Sequence, residues 1–189
     1  QDEGVETADD AADVDADGGA AILPGLAFWV ELTDDETSGS ICLNATRKTL
    51  PPDDVEAAAI DESTDLETLS NLDLLVHDVD AADISCDVSE LVPGSVAIAI
   101  SANYQATTME LTAVTASGSS SSNATFGYKS PETAGEFMRS SACELRTFHV
   151  PEGGGAGLIT YSCPGAAALT TPDRVCLAQG ALYVKDCNR

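Results

Sequence analysis

Six cysteines decide much of what this chain can be. They are Cys42, Cys86, Cys143, Cys163, Cys176 and Cys187, an even number with no two inside a CxxC. Zinc ribbons and redox motifs need that close spacing, because one turn must present both sulfurs. Wide spacing points instead to disulfides between separate strands, and so to an oxidising compartment. The alternative is six buried free thiols. Six cysteines allow 15 pairings, and sequence does not choose among them; the pairing preferred here is Cys42 with Cys86, leaving the last four to staple the C-terminal part. A bridge at Cys187, near the end, would tie that terminus down. Gln1 follows no starting methionine, charged leader or apolar signal core, so the chain reads as a mature secreted product. The longest apolar stretch, AAILPGLAFWV, is broken by Pro24 and Gly25. It falls short of the ~20 residues that a membrane-spanning helix needs.

Charge is spread unevenly. Residues 1–90 hold 25 Asp and Glu against Arg47 and Lys48, whereas residues 91–189 hold seven acids and six bases. The net charge of −24 therefore sits almost wholly in one half. Such a field repels nucleic acid and anionic membrane surfaces. It suits cations, basic partners or a salty medium, and solubility alone is the plainer explanation. Residues 1–19, nearly devoid of large apolar groups, form an acidic extension that would be disordered alone.

From residue 26 the hydrophobic period becomes two. Leu26, Phe28, Val30 and Leu32 fall on one face, as do Val96, Ile98 and Ile100, and Met109, Leu111 and Ala113. SICLNAT, LDLLVHDV, ISCDVSEL, ATFGYKS, CELRTFHV, GLITYSC, DRVCLAQ and ALYVKD read as further short strands, separated by Gly, Pro, Ser and Asp. PEGGGAG reads as a flexible hairpin connection, since no helix pattern follows it to make a phosphate cradle. Two places look helical: PPDDVEAAAIDE, with prolines and acids at its start, and PETAGEFMRSSA. Many short strands and little helix predict an all-β fold, a disulfide-stapled antiparallel β-sandwich of one or two small units. The expected organisation is an acidic extension (1–19), an acidic β-sandwich region (20–117), a Ser-rich loop or linker (118–124) and a Cys-rich β region (125–189). That last region could belong to the same domain.

ISCDVSELVPGSVAIAISA resembles the strand, Leu-x-Pro-Gly corner and alternating strand of fibronectin type III and related immunoglobulin-like modules. The resemblance covers about one tenth of the chain. The tyrosine those modules carry after the corner is missing. What it implies is a sandwich, and Pro-Gly before an alternating strand is good turn chemistry in any β protein.

Catalytic constellations are hard to assemble here. The histidines are His77 and His149 alone, and no GxSxG elbow, GxxxxGK[ST] or HExxH occurs. On a strand, His77 and Asp78 would point to opposite faces and not easily pair. Paired carboxylates for a hydrolase cannot be nominated by spacing when acids are so abundant. DVDADGG places Asp13, Asp15, Asp17 and Gly18 at the first, third, fifth and sixth positions of a calcium loop, but the twelfth, where a bidentate Glu belongs, is Pro24. No apolar helical stripe precedes it, so an EF-hand is ruled out. A partial loop, helped by Asp9 or Asp10, would bind calcium with a dissociation constant on the order of 0.1–1 mM. The plainer reading is a solvated acidic run. Asp78, Asp80 and Asp83 form a weaker cluster without the glycine. Two NAT sequons, at Asn44 and Asn123, offer N-glycosylation sites.

The expectation is a secreted or surface-exposed, non-enzymatic structural or adhesive protein. It would be a subunit of a filament, coat or matrix, self-assembling through β-strand edges or the N-terminal extension. No nucleic-acid partner and no membrane span are expected, and no cofactor other than calcium. A calcium-responsive binding module and a secreted hydrolase using two carboxylates are the alternatives.

Overall fold

A computed structural model describes residues 22–36, 42, 46–52, 56–79, 81–116, 121–172 and 175–188. The acidic extension with Asp13, Asp15 and Asp17, and the sequon at Asn44, lie outside these residues. The described chain is all-β and antiparallel. Its strands are β1 (Gly25–Asp34), β2 (Thr46–Leu50), β3 (Leu75–Val76), β4 (Asp83–Val92), β5 (Ser95–Tyr104), β6 (Thr107–Ala116), β7 (Ser121–Lys129), β8 (Met138–Phe148), β9 (Gly157–Ala168) and β10 (Val175–Lys185).

All ten join one sheet, in the order β2-β1-β10-β9-β8-β7-β6-β5-β4, with β3 beside the start of β1. The two stacked sheets of a sandwich are therefore not what these strands form. From β4 to β10 every strand pairs with the next in sequence, so the ladder is never interrupted where a sheet could divide. Ten twisted strands curl instead, and here they make a half-barrel. Bulges between Cys176 and Ala178, and in β7 between Ser121 and Phe126, add to the bending. The stretch that resembles a fibronectin module is the β4–β5 hairpin, turning at Pro93 and Gly94 (φ 82°).

The predicted alternation describes the concave face. Leu26, Phe28, Val30, Leu32, Val96, Ile98, Ile100, Met109 and Leu111 are all buried in one cluster. Phe126 stacks on Tyr161 at 5.2 Å and lies 6.4 Å from Tyr128. Burial pushes the Tyr128 phenol up to about 12; Glu132 adds to the shift and Ser130 opposes it. The convex face of β1, β9 and β10 is covered by residues 56–74. Ala57, Ile60, Leu69 and Leu72 pack there on Ala27, Leu158, Ala181 and Tyr183, and Trp29 Nε1 donates to Ile60 O at 2.8 Å.

Three local expectations change. The described part of PPDDVEAAAIDE has a 3-10 turn at Ala57–Ala59 in place of an α-helix, and PETAGEFMRSSA has one at Pro131–Thr133 before the chain enters β8. The α-helix among the described residues is Leu66–Ser70, started by Asp65, whose carboxylate accepts from Thr68 N and is held below the usual range mainly by that bond. The expected break between DRVCLAQ and ALYVKD is absent: Val175–Lys185 is one strand, β10, because Gly180 is no turn residue, and a Cβ there would lie 2.2 Å from Trp29 O.

The disulfides are Cys42–Cys176, Cys86–Cys187 and Cys143–Cys163. The expected Cys42–Cys86 pair is thus wrong. Cys42 lies near the end of β1, and β1 runs beside β10, which carries Cys176. Of the last four cysteines, two bond each other across β8 and β9 and two bond the N-terminal half. Cys187 does tie down the C-terminus, through β4.

Candidate functional site at the edges of the sheet

An open antiparallel sheet has two edges, and here they are finished differently. The β4 edge is covered. Ile84 N donates to His77 Nδ1 at 3.0 Å, and Asn188 N donates to Cys86 O at 3.3 Å. Val88 is held on both sides. Its N–H donates to Asn188 Oδ1 at 2.8 Å, and its carbonyl accepts from Asn188 Nδ2 and from Gly155 N, each at 2.8 Å. The Asn188 amide thus stands in for one peptide group of a neighbouring strand. The Cys86–Cys187 bridge fixes this clasp covalently.

Sequence features assigned to other purposes build the clasp. The Gly-rich β8–β9 loop does more than turn: Gly154 has φ 80°, and a Cβ on it would fall 2.0 Å from Val88 O. Only glycine lets that loop lie against the strand. Asn188 reaches Val88 from a left-handed conformation, φ 67°. His77 comes from the turn after β3, which ends at Val76. Asp78 there has φ 61°, so the strand geometry that would separate His77 from Asp78 does not apply. The two side chains do meet, with Nε2 3.4 Å from Asp78 Oδ2. His77 Nδ1, by accepting from Ile84, must be the unprotonated nitrogen in the neutral ring, which leaves Nε2–H to face Asp78. A cleft of about 810 Å³ opens beside the clasp, lined by Ile22, Pro24, His77, Asp83, Asp186 and Asn188 among others.

The β2 edge is different. Tyr161 Oη, from the far side of β10, donates to Trp29 O at 3.1 Å, so the odd-numbered residues of β1 direct their backbone groups toward β10. Phe28, Val30 and Leu32 then bond Leu50, Lys48 and Thr46 of β2. Arg47 and Thr49 therefore direct their N–H and C=O groups away from the sheet. No backbone or side-chain partner meets those four groups among the described residues. The side chains of β2 are engaged. The Arg47 guanidinium lies 4.8 Å over the Trp29 ring and donates to Ala58 O at 2.8 Å, and Lys48 Nζ meets Glu132 Oε1 at 2.9 Å. That contact holds the Glu132 carboxyl below its usual range.

The other candidates separate. Asp80 lies outside the described residues, and Asp78 and Asp83 flank His77 instead of converging on an ion. No cluster of three or more potential metal ligands occurs among the described residues. His149 is an exposed residue whose Nε2 lies 2.9 Å from Thr64 O. Asp34 and Asp35 line a cleft of about 640 Å³ with Glu36 and Glu144, but Asp34 Oδ1 accepts from Cys42 N and Asp35 Oδ2 from Gly165 N. Asn123 is exposed on β7.

No protein-family model matches the chain, and no curated protein or solved structure is significantly similar to it. Three disulfides, and no helix among the described residues long and apolar enough to cross a membrane, accord with an extracellular setting.

Proposed function

We propose that this chain is a secreted, non-enzymatic structural subunit that joins its neighbours by strand addition at β2. One observation carries the reading: the sheet closes one edge with a disulfide, a histidine and an asparagine, and leaves the other without a backbone partner among the described residues. Exposed strand edges are templates for pairing, and proteins that must remain monomeric blunt both. The β2 sequence, TRKTL, has two bases and no acid. An acidic strand from a neighbouring copy suits it, and the first ninety residues supply acidic segments in plenty.

The hydrolase alternative has less support. Among the described residues, hydrogen bonds hold the carboxyls of Asp61, Asp65 and Glu132 below the usual range, opposite to the shift a general acid needs.

Light scattering and negative-stain electron microscopy across a concentration series test the proposal. Concentration-dependent assemblies are expected. Thr49→Pro, which deletes an outward N–H without touching the β1–β2 ladder, should abolish them and leave the circular dichroism of the fold intact. A wild-type protein that stays monomeric at high concentration would overturn the reading.

A further inference from the structure

The covered edge is itself suited to being joined. β4 is ten residues long and carries Asp83, Asp87 and Glu90 with no base. The groups that the clasp occupies run from Ile84 to Val88, a five-residue stretch that matches the length of β2. Pairing β4 with β4 would set acids against acids, and pairing β2 with β2 would set Arg47 and Lys48 against each other. Pairing β2 with β4 sets opposite charges across the new ladder, on matching faces. Arg47 lies on the convex face with Trp29, and exposed Asp83 and Asp87 alternate along β4 with buried Ile84 and Val88.

We infer that β4 is a second docking edge held shut by the clasp, and that once uncovered it takes the β2 edge of a second copy. This rests on reading β2 as a joining edge. A unit with one usable edge forms pairs or decorates an existing sheet. A unit with two different, complementary edges makes a heterologous contact that need not close, so copies add end to end. The clasp thus separates a subunit that ends a sheet from one that extends it.

The test compares four full-length proteins by light scattering and electron microscopy: wild type, Thr49→Pro, the opened variant C86S/C187S/N188G, and the opened variant carrying Thr49→Pro. The near-UV circular dichroism of Trp29, which lies on β1, reports whether each is folded. If the opened variant is not, Asn188→Gly alone takes its place, since it frees the Val88 N–H while the disulfide holds and Gly155 N keeps its bond to the Val88 carbonyl. The opened form should build chains whose mean length grows with concentration, with an association constant raised at least about tenfold. Added salt should shorten them, and Thr49→Pro should remove them. An opened, folded protein that associates no more than wild type overturns the clasp as a gate, while wild-type association sensitive to Thr49→Pro would leave the β2 reading standing. Chains that persist with Thr49→Pro overturn β2 as the occupant. Wild type and opened protein both monomeric would overturn the two readings together.

Discussion

Gly180 shows how one missing side chain can hold three strands together. It sits on β10 beneath the hydrogen bond from the Tyr161 hydroxyl to Trp29 O, and an added Cβ would come within 2.4 Å of both groups. Gly180→Ala should therefore cost about 3 kcal/mol or more, as overpacking of a rigid site does; a lowered urea midpoint with an unchanged slope would record it. A glycine in a run of strand formers ordinarily reads as a break, and only the neighbouring strands reveal a close approach. Tyrosine titration gives a second test. Tyr128 is raised to about 12 by burial, and Tyr161 and Tyr183 are raised by burial as well. A phenol with a raised folded pKa contributes stability that is complete below about 10, where the unfolded chain ionises, and is lost as pH rises toward 12. For Tyr128 that loss is roughly 2–3 kcal/mol. Absorbance at tyrosinate wavelengths should accordingly lag behind that of free tyrosine. A curve that follows free tyrosine throughout would contradict the packing of Phe126, Tyr128 and Tyr161.

Strands were the most legible part of the sequence, because a period of two survives any arrangement of the sheet. The hydrophobic faces of β1, β5 and β6 are the ones the alternation marks. The helical expectations failed where local preference met tertiary pairing. In PETAGEFMRSSA, Met138 and Ser140 are buried on β8, and the strand wins over the Pro and Glu signals after one 3-10 turn. The clasp could not be foreseen, since Asn188 and Val88 are 100 residues apart and nothing local in either announces the other. The convex faces differ in a way that yields a prediction for β7. Residues 56–74 cover β1, β9 and β10, whereas Ala99, Thr112 and Val114 of β5 and β6 are exposed, with Asn123 and Thr125 beside them on β7. Expressed through a eukaryotic secretory pathway, the protein should carry an N-glycan at Asn123, and Asn123→Gln should remove that mass from the corresponding peptide. A fully unmodified Asn123 peptide would count against the site.

Taken whole, the molecule is a half-barrel whose ends are stitched by long-range cross-links. Cys42–Cys176 and Cys86–Cys187 join residues 134 and 101 apart, and Cys143–Cys163 residues only 20 apart. On the chain-entropy account, replacing either long-range pair by serines should cost about 4–5 kcal/mol, against about 3 kcal/mol for the short one. Urea unfolding of the three double variants should rank them so, and equal losses would show that the loops do not set the cost. The strand order has one more consequence, and it concerns time. β1 is made before the other described strands but borders β10, the last of them to be made, and 140 residues separate Asp34 from Val175. At about 5–20 residues per second, β1 waits roughly 7–28 s before its long partner exists. Through that interval Leu26, Phe28, Val30 and Leu32 lack the strand that pairs with β1 along its full length. The growing chain therefore carries an unpaired apolar strand until β10 is made, and Cys187, just beyond β10, then locks the completed sheet through Cys86.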